Sequence, residues 1–264
     1  MPIVVSIAGS DPSAGAGIQA DLKTFAALGV YGMSIISMLT AQNYRSVSAI
    51  EAVTPTMFEA QFRSVFDAYP VAAVKIGMVG DTRIIEQLAR LLEEYRPAHV
   101  VFDPVLRSTS GGTLSSTDAP PQTLFAPLLP WVELLTPNLP EAASLLSRTL
   151  PTHLTEAETL LTGLSQLGCR AVLLKGGHGT DPDYCHDLLR IDNETHTFRH
   201  ARINSPHLHG TGCTLSSAIA SFLAKGVPLN AAVERAIIFT LKAIQSADQI
   251  GIAPVNGPLN HFNV

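Results

Sequence analysis

The sequence predicts an α/β fold in three layers, with a mostly parallel central sheet, helices on both faces and a small hairpin at one edge. Three observations predict it. Short apolar runs ending in glycine or turn residues alternate with helical patterns from one end of the chain to the other. Only 15% of the 264 residues are charged while 46% are hydrophobic, as suits strands buried on both faces. Nineteen Gly and 18 Pro supply the many tight turns between strands and helices that such a sheet needs. No linker, repeat or low-complexity block interrupts the alternation, so residues 1–264 read as one domain.

The elements follow in order. Residues 3–8 form a strand that stops at Gly9-Ser10-Asp11-Pro12. The loop Ser13-Ala14-Gly15-Ala16-Gly17 opens a helix over about 18–28, and the run from Tyr31 to Leu39 is a buried strand carrying Thr40-Ala41-Gln42-Asn43 at its end. Val47–Val53 is another strand. Thr54 with Pro55 starts a helix to about Tyr69. Ala72–Ile76 is a strand into Gly77-Met78-Val79-Gly80, and Asp81 caps a helix to about Tyr95. His99–Phe102 ends in Asp103-Pro104-Val105, followed by the donor-rich loop Arg107-Ser-Thr-Ser-Gly-Gly-Thr. Val132–Leu135 leads into Thr136-Pro137-Asn138-Leu139-Pro140-Glu141, where a helix begins. Another helix starts at Thr155-Glu156, and Ala171–Leu174 runs into Lys175-Gly176-Gly177-His178. Polar–apolar alternation over 180–205, with Asp192-Asn193-Glu194 as the turn, predicts the edge hairpin. Helices then follow His209-Gly210-Thr211-Gly212-Cys213-Thr214 and cover about 229–247.

Composition narrows the function classes. A formal net charge of −5 argues against a nucleic-acid or anionic-membrane surface. No apolar run approaches a membrane span, and the first basic residue is Lys23, so the N-terminus reads as a strand and not a signal peptide. Cys169, Cys185 and Cys213 are odd in number, lack a C-x-x-C spacing, and fit a reducing cytoplasm.

The chemistry is expected where the strands end. In an open parallel sheet the carboxyl ends of the strands share one edge, and ligands bind there. Gly9, Gln42, Asp103, Asn138 and Lys175 all fall at such ends. The stretch 209–214 adds backbone amides at a helix N-terminus, an anion site, and places Cys213 where the helix field is expected to lower a thiol pKa. Carboxylates for a metal, a lysine, and amides converging on an anion are what phosphoryl transfer requires. Two nucleotide motifs fail. Gly15-Ala16-Gly17-Ile18-Gln19-Ala20 fits G-x-G-x-x-A but stands too far from its strand, with no acid between Asp21 and Glu51, and the chain has no Gly-Lys pair for a P-loop. His196 and His200 have a zinc-like spacing but lie in the edge hairpin, and read as surface histidines. The plain structural readings stay open for Asp103 (a turn cap), Glu141 (a first-turn acid), Met78 (core) and Lys175 (a surface lysine).

Six stretches carry a resemblance. They are Ile7 to Gly29, Leu39-Thr-Ala-Gln-Asn, Lys75-Ile-Gly-Met, Thr136-Pro-Asn-Leu-Pro-Glu-Ala, Lys175-Gly-Gly-His and His209-Gly-Thr-Gly-Cys-Thr-Leu-Ser. In this order they resemble the hydroxymethylpyrimidine/phosphomethylpyrimidine kinases of thiamine biosynthesis, members of the ribokinase-like superfamily. The resemblance implies ATP- and Mg2+-dependent phosphorylation of 4-amino-5-hydroxymethyl-2-methylpyrimidine and then of its monophosphate, by a homodimer. It implies that Gln42 reads the aminopyrimidine and that Gly9, Ala16, Met78 and Val105 shape its pocket. Gly210 and Gly212 would offer amides to the transferring phosphate, with Cys213 beside the hydroxymethyl oxygen. Asp103 and Glu141 would hold Mg2+, and Asn138, Lys175, Gly177 and Thr211 would contact the nucleotide. Tyr44, Thr109, Pro206-His207-Leu208 and Ile237 depart from the family pattern, the last where relatives carry a lysine that Arg235 or Lys242 would have to replace. Rival expectations are a pyridoxal (vitamin B6) kinase on the same scaffold, a non-catalytic pyrimidine sensor, and a nicotinamide oxidoreductase, which the failed dinucleotide motif disfavours.

Overall fold

A computed structural model describes residues 1–106, 119–151 and 153–262. The expected loop Arg107–Thr113, with Thr109, lies outside the described residues. Nine strands form one sheet in the order β3-β2-β1-β4-β5-β6-β7-β8-β9. Six of them run parallel: β1 (Ile3–Ser10), β2 (Tyr31–Gln42), β4 (Val71–Ile76), β5 (Val100–Phe102), β6 (Leu134–Leu135) and β7 (Ala171–Leu174). The edges are antiparallel. β3 (Val47–Ala52) turns back along β2, and the hairpin of β8 (Tyr184–Ile191) and β9 (Glu194–Ala201) closes the far side, turning at Asp192 with φ 52°.

Alternation along each strand divides the core between two faces. Val5, Ile7, Val74, Ile76, Val100 and Phe102 face one apolar cluster with helices α2 (Pro55–Phe66) and α3 (Thr82–Tyr95). α5 (Leu139–Leu145) and α6 (Leu154–Leu164) pack on the same cluster. Their neighbours Val4, Ala73 and Val101 face the other side, with α1 (Gly17–Ala27), α7 (Thr211–Ala224) and α8 (Leu229–Gln245). Expected caps are present. Thr54 Oγ1 accepts the Met57 N–H at 3.2 Å, and Asp81 accepts those of Arg83 and Ile84. Several boundaries differ from expectation by one to three residues: α2 stops at Phe66, β6 is only Leu134–Leu135, α6 begins at Leu154 after His153, and α8 stops at Gln245. The sequence reading contained no α4 (Pro121–Phe125). It is too short to show helical periodicity, yet it buries Leu124 and Phe125, the latter edge-on to Phe102 at 5.1 Å.

The second face carries a buried charge pair. Lys75 alternates into it from β4 and meets Asp21 of α1, with Nζ 2.9 and 2.8 Å from the two carboxylate oxygens and both side chains fully buried. Ser6 and Ser217 donate their hydroxyls to the same carboxylate at 2.5 and 2.7 Å. Every Asp21 oxygen is therefore satisfied, the condition under which a buried pair is tolerated. Ser217 is one helical turn after Cys213, so the pair also fixes the rotation of α7 beneath the site.

The C-terminal tail closes over the start of α7. His261 is 3% exposed, with Nε2 2.9 Å from Thr214 Oγ1. Burial, assisted by the nearby Lys23 charge, pushes its pKa down to about 4. A histidine that is neutral when folded and ordinary when unfolded contributes fully above about pH 6.5 and loses that contribution as pH falls toward 4. His261→Gln should therefore remove about 2 kcal/mol of the stability lost between pH 7 and pH 5, read from urea unfolding at both pH values. An unchanged pH slope in the variant would rule out this role.

Candidate active site

The strand order reverses between β1 and β4, and a cavity of about 1000 Å³ opens at the carboxyl ends beside that point. Every residue that the sequence placed at a strand end lines it: Gly9 on β1, Gln42 on β2, and Asp103, Asn138 and Lys175 after β5, β6 and β7. Ala16, Met78, Val105, Glu141, Gly177, Gly210, Thr211, Gly212 and Cys213 line it as well.

One end is a flat apolar slot. Met78 lies directly over Gly9, where a Cβ would come within 2.3 Å of its Cε. Met78 also packs on Met38 with Val105 beside them, so its core reading and its pocket reading both hold geometrically. Gln42 stands at the rim, partly exposed, and approaches His209 Nε2 at 3.3 Å.

The loop after β1 is knotted around Asp11, which is 2% exposed. Its Oδ1 accepts the Ser13 N–H and hydroxyl, while Oδ2 accepts the N–H groups of Gly15 and Ala16 and faces His209 Nε2 at 2.9 Å. Burial works to raise this carboxyl, and the hydrogen bonds from His209, Ser13 and Ala16 together outweigh it and hold it below its ordinary value. The loop then meets the start of α7 backbone to backbone. Gly210 has φ 86°, and a Cβ there would fall 1.9 Å from the Gly15 carbonyl oxygen. Only glycine satisfies both demands.

At the mouth of α7 the first intrahelical bond is Thr214 N–H to Gly210 O at 2.8 Å, which leaves the Gly212 and Cys213 amides ahead of it at the positive end of the helix. Thr211 is committed differently. Its N–H and hydroxyl both bond the Leu208 carbonyl, so it contributes a wall and not a converging amide. A Cβ on Gly212 would lie 3.1 Å from Asp103 Oδ2 and 3.2 Å from Lys175 Nζ. The missing side chain lets the helix end approach that pair.

Lys175 bonds Asp103 Oδ1 at 2.7 Å and stands 3.9 Å from Glu141 Oε2, with its side chain only 13% exposed. A surface lysine it is not. The side chain of Asp103 faces this lysine and the Thr136 hydroxyl, which overturns its reading as a turn cap. Asn138 and Glu141 form a reciprocal capping box at 2.8 Å each way, so Glu141 serves its helix and also faces the charged cluster. Burial raises the Glu141 carboxyl, Lys175 opposes it and Asp103 adds to it, leaving it up at about 7. Lys175 itself is held above its ordinary value: burial opposes the charge, and Asp103 and Glu141 overcome it.

Cys213 requires a correction. The helix field was expected to lower its pKa, but burial pushes the thiol up to about 11 against the pull of Lys75 and of the Gly17 N–H. Loss of solvent outweighs a partial helix charge.

The opposite end of the cavity holds groups that sequence reading missed. Asp187, 5% exposed on β8, accepts the Gly176 N–H at 2.7 Å and faces His200 Nε2 at 3.2 Å, which raises the histidine pKa. His200 is thus half-buried beside the cavity and not a surface residue, whereas His196, on the same face of β9, does not line the cavity. Arg202 bonds the carbonyls of Gly177, Gly179 and Asp181. Ile237 lines the cavity, but Arg235 and Lys242 are exposed and do not. An aspartate amid the apolar run of β8 was the one signal in the sequence for this end.

Known proteins resemble this chain over nearly its whole length. Residues 11–260 match the model of the phosphomethylpyrimidine kinase family. The chain is 44% identical over 261 residues to the hydroxymethylpyrimidine/phosphomethylpyrimidine kinase of Escherichia coli strain K12, covering 98% of this chain and 97% of that protein. It superposes on a crystal structure of phosphomethylpyrimidine kinase from Clostridium difficile 630 with a TM-score of 0.80 at 38% identity, over 92% of this chain and 100% of that one. A pyridoxal kinase from Staphylococcus aureus in complex with AMP-PCP and pyridoxal gives a TM-score of 0.87 at 29% identity, over 99% and 94% of the two chains. On this sequence, this fold and these matches, the chain belongs to the phosphomethylpyrimidine kinase family of ribokinase-like enzymes.

Proposed function

We propose that this protein transfers the γ-phosphoryl group of ATP to the hydroxymethyl oxygen of 4-amino-5-hydroxymethyl-2-methylpyrimidine, and then a second group to the monophosphate, in thiamine biosynthesis. The observation that carries the reading is one continuous cavity. A slot lined by Gly9, Met78, Val105 and Gln42 opens onto the Asp103–Lys175–Glu141 cluster at the mouth of α7. In the first step the hydroxyl oxygen forms a bond to phosphorus, the bond from phosphorus to the bridging oxygen breaks, and ADP leaves. In the second the same exchange builds a diphosphate.

The amides of Gly212 and Cys213 and the Lys175 ammonium face the charge that spreads over the moving phosphoryl group. Gln42 supplies a donor and an acceptor to the edge of an aminopyrimidine, with Ala16 and Gly210 closing the loops around it. Cys213, with its thiol protonated at neutral pH, positions the hydroxyl, whose proton needs to leave only late in a loose transition state. Gly177, Asn138 and Thr211 wall the nucleotide side. Asp103 and Glu141 fit Mg2+ by the chemistry of their hard oxygens. No described group of three or more His, Cys, Asp or Glu could hold a metal ion by itself, so two carboxylates completed by phosphate oxygens and water suit this metal. Mg2+ would neutralise charge between the phosphates. A cytoplasmic homodimer completes the proposal. Free Cys169, Cys185 and Cys213 and the exposed Leu39 on the β2–β3 edge accord with it, and no helix of the described residues is long and apolar enough to cross a membrane.

A pyridoxal kinase is the second reading, favoured by the 0.87 superposition on a chain holding pyridoxal. ADP release in Mg-ATP with the pyrimidine alcohol, its monophosphate, pyridoxal or ribose separates the two. Turnover of both pyrimidines is expected, and turnover of pyridoxal alone would overturn the assignment.

A further inference from the structure

The loop after β1 and the start of α7 meet at one imidazole. His209 is 5% exposed, its ring lies under Gly15, where a Cβ would strike Cδ2 at 2.2 Å, and it is held by the tail through a backbone bridge to Pro258. Nothing in the reaction described above uses it. Its Nε2 faces Asp11 Oδ2 at 2.9 Å and the amide nitrogen of Gln42 at 3.3 Å.

These two contacts impose opposite demands. Asp11 is an acceptor-only carboxylate that already takes four other hydrogens, from the N–H groups of Ser13, Gly15 and Ala16 and the Ser13 hydroxyl. The Nε2 facing it must therefore carry a hydrogen and donate. A nitrogen that donates in the ring plane has no lone pair for the Gln42 NH2. The other end of the amide meets the same conflict. Thr40 Oγ1 gives its hydrogen to the Ser10 carbonyl at 2.9 Å, so it can only accept, yet at 3.3 Å it faces the Gln42 carbonyl oxygen. A half-turn of the amide about its last bond leaves its shape unchanged and resolves both contacts: the Nε2 hydrogen, given mainly to Asp11, is shared with the amide oxygen, and the NH2 donates to Thr40 Oγ1.

We infer that His209, oriented by Asp11, is a specificity-determining positioning residue: it fixes the Gln42 amide with its oxygen toward the imidazole and its NH2 toward Thr40. The inference rests on Gln42 reading an aminopyrimidine. It adds the polarity of that reading. The amide oxygen, free on its second lone pair, takes the exocyclic amino group on the His209 side, and the second N–H of the amide donates to the adjacent ring nitrogen on the Thr40 side. The substrate is thereby oriented in the slot in one of its two edge-on senses, and a ring without the amino donor leaves the oxygen unmatched.

The test compares kcat/KM for the aminopyrimidine alcohol with that for the analogue carrying hydrogen in place of the amino group. In the wild type the amino compound is preferred. His209→Ala should lower kcat/KM for the amino compound by about 10–100-fold, mostly through KM, and leave the analogue within about threefold. Gln42→Ala should lower the amino compound at least as far and also cost the analogue its ring-nitrogen bond, about 3–10-fold, and the double variant should lose no more than Gln42→Ala alone. Thr40→Val leaves the Asp11 knot intact and guards against a folding defect in the histidine variant; it should lose about 3–10-fold on the amino compound only. Equal losses on both compounds, or losses that add in the double variant, would overturn the inference while the reaction itself stands. A wild-type protein that phosphorylates neither pyrimidine would instead overturn the reaction assignment, and this inference with it.

Discussion

Cys213→Ala is expected to lower kcat by about 10²–10⁴ while leaving the unfolding curve close to that of the wild type. The stability side follows from size, since the thiol is small, partly open to the cavity and bonded only weakly by the Gly17 N–H. The catalytic side follows from placement. The thiol stands at the mouth of α7, next to Gly212, where the proposed reaction seats the attacking hydroxyl. With its pKa at about 11 the group is a proton-bearing positioner at neutral pH, so its removal costs alignment more than basicity. Single-turnover measurements at saturating ATP are the direct readout. Turnover within a few-fold of wild type would reduce Cys213 to a packing residue.

Gly210→Ala is expected to cost about 2–5 kcal/mol of stability and to abolish most activity. The methyl group would arrive 1.9 Å from the Gly15 carbonyl oxygen on a residue with φ 86°. Neither neighbour can retreat cheaply. The Gly15 and Ala16 amides are tied to Asp11, and Gly210 O accepts the first hydrogen bond of α7. Relief would need the two loops to separate, which opens the cavity where ring and phosphate subsites join. Urea unfolding reports the first loss and ADP release the second; a variant as stable and active as the wild type would mean that the loops are not locked.

Much of the fold was legible because glycine and proline mark its turns. Thr54-Pro55 and Asp81 begin helices where capping chemistry placed them, α5 begins within the expected stretch 136–141, and alternation found the edge hairpin. Short elements such as α4 escaped because five residues cannot display a helical period. The candidate site divides along the same line. Gln42, Asp103, Asn138 and Lys175 were visible because each ends a strand, and the geometry of parallel sheets gathers such ends. Asp11 and His209 were not, since their pairing spans 198 residues and each reads locally as a turn residue or a loop residue. Asp187 with His200 and Lys75 with Asp21 were hidden for the same reason. The direction of the Cys213 shift failed on burial, which no local pattern reveals.

The order of the strands also acts as a ruler. Gln42 ends β2 and Asp103 follows β5, and β1 and β4 lie between them. Three strand spacings of about 4.8 Å set roughly 14 Å between those two positions along the sheet edge. Lys175, two strands further along, stands roughly 24 Å from Gln42 by the same measure, shortened where its long side chain reaches back to Asp103. The span from Gln42 to Asp103, which the proposed function assigns to the ring and the metal, is thus written in backbone hydrogen bonds, the least deformable part of the molecule. Loops above the edge can vary in length without altering it, whereas a change of substrate length would demand a different sheet.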